Sequence, residues 1–338
     1  MSERKLASVQ AIDNLFPIEG ADVIECAQIL GWKVVVKKGE FKVGDTCIYF
    51  EIDSFLPIEN PVFNFLKNPI TYEGTQGFRL KTIKLRGQVS QGLALPVRAF
   101  SECANLEIDS DVTELLGIKK WERQIPAQLA GQMKGNFPSF IRKTDQERIQ
   151  NLSKSIDKHI NGYEFLPTVK LDGSSMTVYI KDGEIGVCSR NIDLKDTEDN
   201  TFWRVAKEKN LPTLLMDFHL KTFRNIALQG ELIGPGIQGN REKLSKHNFY
   251  MFAIFDIDEQ EYLAPFWVGA LYGEYFKNLD FVPYMSHLQF KTETVDSILS
   301  LADGPSLNAQ TREGLVFFRE DGKFSFKVIS NQYLLKEE

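Results

Sequence analysis

The run Leu166-Pro167-Thr168-Val169-Lys170-Leu171-Asp172-Gly173-Ser174-Ser175 puts a lysine at the end of an apolar segment and follows it with a carboxylate and a glycine. Leu166 to Val169 reads as the end of one strand. Met176 to Ile180 reads as a second strand, closed by a Lys181-Asp182-Gly183 turn. Lys170 therefore faces a glycine-containing loop. A lysine attacks phosphorus only as the neutral amine, and with an ordinary pKa of about 10.4 little of it is neutral at pH 7. Burial, a bound cation or a neighbouring basic group would each favour the amine. Asp172 is placed to hold a metal-bound water beside a phosphate, and the amides of Gly173 and Ser174 to meet phosphate oxygens. The same residues read equally well as a solvent-exposed lysine in a hairpin turn.

The surrounding chain sets the frame. At 338 residues, with 43% hydrophobic and 25% charged positions, it falls among ordinary folded proteins and is long enough for two cores of unequal size. No apolar run approaches the roughly 20 residues of a membrane span, and MSERKLASVQ at the start lacks the features of a secretory signal, so an intracellular location is expected. Cys26, Cys47, Cys103 and Cys188 are scattered without CxxC spacing, against both a zinc site and a disulfide framework. The net charge of −6 does not exclude a nucleic-acid partner, because phosphate contacts depend on local charge. Thr75 to Ala99 carries Arg79, Lys81, Lys84, Arg86 and Arg98 and no acidic residue. That segment fits a phosphate-binding surface or a solvated strand face.

The expected class is α+β with two domains. Residues 1–120 read as short strands broken by turns: Gly31-Trp32-Lys33-Val34-Val35-Val36, then Cys47 to Ile52, then Phe78 to Leu85. Five or so strands in that length suit a small Greek-key barrel of the oligonucleotide-binding (OB) kind. Residues 121–140 lose all periodicity and read as a linker, with 141–338 as the second domain, built around antiparallel sheet. A capping box, Thr144 with Glu147, predicts a helix from about Asp145 through Arg148, Ile149 and Leu152.

Lys170-Leu-Asp172-Gly173-Ser174 resembles the first motif of the covalent nucleotidyltransferases, the superfamily of DNA ligases, RNA ligases and capping enzymes. Further matches follow in order: Ser189-Arg190, Gln229-Gly230-Glu231-Leu232-Ile233-Gly234, Phe249 to Asp256, Arg312-Glu313-Gly314-Leu315-Val316, and Phe324 to Val328. Singly, each has a bland reading as surface charge or core. Together they span Val169 to Val328 in the family's order.

The superfamily branch follows from what is missing. DNA ligases and capping enzymes place an arginine five residues after the nucleophile, where this chain has Ser175, and carry a barrel after the last lysine motif, whereas only 11 residues follow Lys327. With Ala21-Asp-Val-Ile-Glu25, the 31–36 strand and Phe50 to Pro57, the layout resembles the ATP-dependent RNA ligases of the Deinococcus and Naegleria type. Many of these have Lys-x-Lys in the last motif, but here Ser325 precedes Phe326-Lys327.

The resemblance implies an OB-like barrel followed by an ATP-grasp-like nucleotidyltransferase domain, with ATP as AMP donor and Mg²⁺ or Mn²⁺ as cofactor. It assigns Lys170 as the AMP-carrying nucleophile, Lys327 and Arg190 to the phosphate, and Glu313, with Asp172 through water, to the metal. Thr168 and the Val169 backbone would read the adenine edge, Glu231 the ribose, and Phe252 or Phe255 would stack on the base. Lys143 and Arg148 would hold the outer phosphates, and Arg79, Lys81, Lys84 and Arg86 the nucleic acid. The expected substrate is RNA, or an RNA/DNA duplex, with a 3′-hydroxyl/5′-phosphate break, acted on by a monomer without an obligate protein partner. Two rival readings are an inactive nucleic-acid-binding protein and a capping-type guanylyltransferase.

One other motif competes. Gly234-Pro-Gly236-Ile-Gln-Gly239 is formally GxGxxG, follows the apolar Ile226 to Ile233 segment, and has Asp256 20 residues after Gly236, as a dinucleotide-binding fold would. A crossover helix there would need an apolar face, and Asn240 to Asn248 offers only Leu244 among mostly polar residues.

Overall fold

The computed structural model describes residues 4–122 and 131–336, and the chain divides into two compact units. Residues 4–122, with 150–154 and 334–336, make the first. Thr46–Phe50 runs antiparallel between Ala7–Ala11 and Leu93–Pro96, while Asn14–Pro17, Ile24–Ile29 and Trp32–Lys37 form a meander. Successive side chains on a strand point to opposite faces. Ile48 and Phe50 accordingly enter one apolar cluster, with Leu56, Phe63 and Phe100, and Cys47 and Tyr49 enter another, with Trp32 and Val34. A strand buried on both faces has no room for a polar residue, which is why Cys47 to Phe50 is uninterrupted.

The sequence suggests one strand from Phe78 to Leu85, but the structure has two. Thr75–Arg79 pairs with Ser54–Pro57, and Thr82–Leu85 forms a hairpin with Gln88–Gln91 around Arg86 and Gly87, both at positive φ. The buried Leu80 ties the chain to Ser54 between them.

The second unit contains two sheets and several helices. Glu164–Lys170 lies in a five-stranded sheet, between Gly314–Arg319 and Leu288–Gln289. Ser174–Lys181 lies in an eight-stranded sheet, between Glu184–Cys188 and Ile226–Ile233. The loop Leu171-Asp172-Gly173 is thus the step from one sheet to the other. Met176, Val178 and Ile180, on alternate positions, bury one face of the larger sheet against Phe202, Val205, Leu215 and Phe218 of the helices Thr201–Glu208 and Leu211–Thr222. The opposite face carries Thr177, Gln229 and Glu231 towards one end and a second apolar cluster, with Tyr179, Ala227 and Phe255, towards the other.

Two expectations are corrected. Of the segment read as linker, residues 123–130 lie outside the described residues, and Met133–Asn136 is a strand pairing with Ile192–Leu194. No helix starts near Thr144 or Asp145. Glu147–Arg148 instead joins Ser325–Ile329 as a parallel edge strand, followed by a 3₁₀ stretch, Ile149–Ser155, and the short helix Ile156–His159. Ile149 is wholly buried, so tertiary packing overrides the capping pattern.

Candidate active site

Lys170 ends its strand in register with Gly314, which brings the preceding Glu313 alongside it. The Lys170 Nζ is 2.7 Å from both Glu313 carboxylate oxygens. Close approach of backbones makes this possible. A Cβ on Gly314 would lie 2.0 Å from the Val328 carbonyl oxygen, and one on Gly173 would lie 2.4 Å from Cγ2 of Ile233 and 2.6 Å from the Leu232 oxygen. The glycines beside Glu313 and Asp172 are therefore spatial necessities. Glu231 projects from Ile226–Ile233 directly opposite Ser175, so the position where other branches carry arginine faces this carboxylate with a small hydroxyl.

Burial alone would push the Lys170 ammonium down, but Glu313, Glu231 and Asp172 together outweigh it and hold the group above the ordinary lysine value. The sequence pointed to a site favouring the amine; without a cation bound, the carboxylates favour the ammonium instead. The acids respond in turn. Burial, helped by Glu313 and Asp172 and opposed by Lys170, raises Glu231 to about 8. Burial and then Glu313 raise Asp172 to about 6, against the hydrogen bond from Tyr333. Among the described residues, no three acidic, histidine or cysteine side chains converge as a ready metal cage. The Lys170 ammonium is itself the cation among these carboxylates. Their oxygens are the hard donors that Mg²⁺ and Mn²⁺ take, so the donor set fits the expected metal.

Two further cations converge nearby. Lys327 Nζ donates to Asp145 Oδ1 at 3.1 Å, and Arg190 lies 3.6 Å from Asp145 Oδ2. Arg148 is aligned with Lys327 across the parallel pair and is buried. Lys143 is exposed and donates to Asn191, beside Arg190. Asp145 was not singled out in the sequence, because it joins Lys327 across 182 positions and its neighbours imitate a helix cap.

The base-reading candidates separate. Phe255 is wholly buried, packed with Tyr179, Cys188 and Tyr262, where no base can reach it. Phe252 is only half-buried. The register slips between Gln229/Ala253 and Gly230/Met251, so Phe252 is the extra residue of a β-bulge, a device that re-aims a side chain. The Thr168 hydroxyl donates to the Val316 carbonyl and the Val169 amide to Pro283, so neither of these donors is left to read a base.

In the first unit, Arg79 turns inward, ion-paired to Asp53 at 3.0 Å and stacked 3.4 Å from the Trp121 ring centre. Lys81, Lys84 and Arg86 stay exposed on or beside the 82–91 hairpin. The four cysteines are buried free thiols, Cys47 pushed up to about 12 by burial and then by Asp13. The GxGxxG segment opens no crossover helix. Its strand is antiparallel to both neighbours, and Gln238–Asn240 is a single 3₁₀ turn.

A lysine at a sheet-to-sheet step, carboxylates around it and paired cations near it form a charged cluster suited to meeting a phosphate and a divalent cation. The family comparisons agree, with an OB-fold domain matching residues 6–97 and the RNA ligase family matching 163–329. The chain is 50% identical to an apo mutant of Naegleria gruberi RNA ligase, with a TM-score of 0.94 over 100% of this chain and 99% of that one. It belongs to the RNA ligase family. The same Naegleria gruberi enzyme with pyrophosphate is 50% identical at TM-score 0.93, over 99% of each chain. A mutant of it with ATP and Mn is 49% identical at TM-score 0.92, over 98% of this chain and 99% of that one. Comparison with the curated proteins gives no match. Among the described residues, no helix is long and apolar enough to cross a membrane.

Proposed function

We propose that this chain is an ATP-dependent RNA ligase in which Lys170 becomes covalently adenylylated. The observation that carries the reading is the Lys170 amine held 2.7 Å from both oxygens of Glu313, with Glu231 and Asp172 close enough to shift it. Glu313, and Asp172 through water, are the residues that would hold a divalent cation. Bound there, the cation supplies the positive field that offsets these carboxylates and the charge of the α-phosphate. A cation held by Glu313 would take that carboxylate from Lys170, and burial would then act on the lysine in the direction of the neutral amine.

The amine attacks the α-phosphorus of ATP, forming an N–P bond as the bond to pyrophosphate breaks. Lys327 and Arg190 leave Asp145 for phosphate oxygens, with Arg148 and Lys143 beside them for the outer phosphates. Phe252 stacks on adenine, and Glu231 accepts from a ribose hydroxyl. A 5′-phosphate oxygen next attacks the lysyl-adenylate and releases Lys170, and a 3′-hydroxyl displaces AMP to seal the strand. The exposed Lys81, Lys84 and Arg86 suit a phosphate backbone, and such binding falls steeply with salt. The intended substrate is a nick or break with an RNA 3′-hydroxyl.

The test is to incubate the protein with Mg²⁺ or Mn²⁺ and α-labelled ATP or GTP, then with a nicked RNA duplex. Label from ATP alone, and sealing of the nick, are expected. Label from GTP alone would point to a capping-type enzyme, and absence of any covalent label would remove the reading.

A further inference from the structure

The GxGxxG segment has a place in this site that its dinucleotide pattern does not explain. Arg241, two residues past Gly239, lies with Nε 3.8 Å from Asp172 Oδ2 and its guanidinium 4.6 Å from the centre of the Tyr333 ring. Tyr333 is 4% exposed and donates its hydroxyl to the same Oδ2 at 2.9 Å. Both contacts fall on one oxygen of Asp172, Oδ2, and neither involves Oδ1.

Each contact has its own anchor. The carboxylate of buried Glu242 accepts from the Ser306 hydroxyl and from the amides of Asn308 at 2.6 Å and Ala309 at 3.0 Å, fixing the loop that carries Arg241. The Tyr333 amide donates to the Ser330 hydroxyl at 3.1 Å, while the Ser330 amide donates to the Glu313 carbonyl at 2.9 Å. Tyr333 is thereby tied to the backbone of the residue that holds Lys170.

We propose that Tyr333 and Arg241 are positioning residues that clamp Oδ2 of Asp172, keeping this carboxylate off the Lys170 ammonium and presenting Oδ1 to the cation-bound phosphate. The need for a clamp follows from charge. Asp172 sits two residues from an ammonium, and an unclamped carboxylate closes on it as a second counter-ion. The inference rests on the role given to Asp172 under the proposed function.

The experiment uses the full chain with Mn²⁺ and ATP. With Lys170 in place and the α,β-methylene analogue of ATP, which the lysine cannot cleave, the electron paramagnetic resonance signal of free Mn²⁺ reports metal binding directly. Adding Tyr333→Phe or Arg241→Gln is expected to weaken Mn²⁺ binding about tenfold, in line with losses of partners that orient metal-binding groups. With ATP itself, the same changes should slow self-adenylylation at fixed metal while leaving the ATP KM at saturating metal unchanged, and Arg241→Lys should recover part of the loss. Unchanged melting temperatures separate this from misfolding, and if Tyr333→Phe melts early the part-exposed Arg241→Gln carries the test alone. Wild-type Mn²⁺ binding in both variants, with a labelled wild-type protein, overturns the clamp alone. No label in the wild type overturns the nucleotidyl reading and the clamp with it.

Discussion

Replacing Gly314 by alanine should cripple the site from behind. The new Cβ would sit 2.0 Å from the Val328 carbonyl oxygen and 2.9 Å from the Ile329 Cα, both backbone atoms with no flexible end to swing aside. The strands Gly314–Arg319 and Ser325–Ile329 must part by at least ~1 Å to restore contact distance. One or two ladder hydrogen bonds weaken, at about 0.5–1.5 kcal/mol each, and overpacking strain adds about 1–3 kcal/mol. A total of roughly 1.5–6 kcal/mol corresponds to a fall in Tm on the order of 3–24 °C for a unit of this size. Glu313 and the register partner Lys170 move with Gly314, and a misplacement of ~1 Å in a reacting group costs on the order of a hundredfold in rate. Differential scanning calorimetry and the initial rate of self-adenylylation measure the two effects. Gly269→Ala is the control, since Gly269 lies within the helix Pro265–Leu271 with nothing within 4 Å of its Cβ position, and it should gain up to about 1 kcal/mol. A Gly314→Ala protein with wild-type melting and labelling would refute the close-approach argument.

Further outcomes follow from the same geometry. Phe252→Ala should raise the KM for ATP several-fold with little change in melting, whereas Phe255→Ala should cost about 3–5 kcal/mol of stability as a fully buried aromatic; matching effects from the two would contradict the bulge argument. Glu231, raised from 4.5 to about 8, is protonated in the fold over a range where it is ionised in the unfolded chain. Its contribution to stability is therefore present below about pH 4.5 and lost as pH rises through about 8, with a slope near 1.4 kcal/mol per pH unit. Metal-free melting curves should decline across that window in the wild type and less in Glu231→Gln, and parallel curves would oppose the assignment. Asp145→Asn should weaken the hold of this carboxylate on Lys327 and Arg190 and lower the KM for ATP in steady-state assays, while a raised KM would mean that Asp145 organises these cations for binding.

The parts of the molecule legible in the sequence are those set by local pattern. Ile226–Ile233, apolar at both ends, is a strand over the same residues, and Asp182-Gly183, both at positive φ, turn the hairpin where Lys181-Asp182-Gly183 suggested. Lys170, Asp172, Glu231 and Glu313 fall together because each sits at a fixed offset from a glycine that a packed neighbour requires. Pairings decided across the chain were not legible. The Phe252 bulge depends on how one strand slips against another, and Arg79 is withdrawn onto Asp53 and Trp121 by packing that its basic neighbourhood conceals. Thr144 and Glu147 form a sound capping pattern, yet Asp145 and Arg148 between and beside them serve the site as an extended segment. Tyr333 carries no motif and enters only because the chain returns past Glu313 to reach Asp172.

The most direct test of the central claim is to treat the protein with ATP and Mn²⁺, digest it, and locate the adenylyl group by mass spectrometry. One modified peptide is expected, carrying AMP on Lys170, discharged by pyrophosphate and missing in Lys170→Ala. AMP on a different residue, or a Lys170→Ala protein that still takes the label, would contradict it.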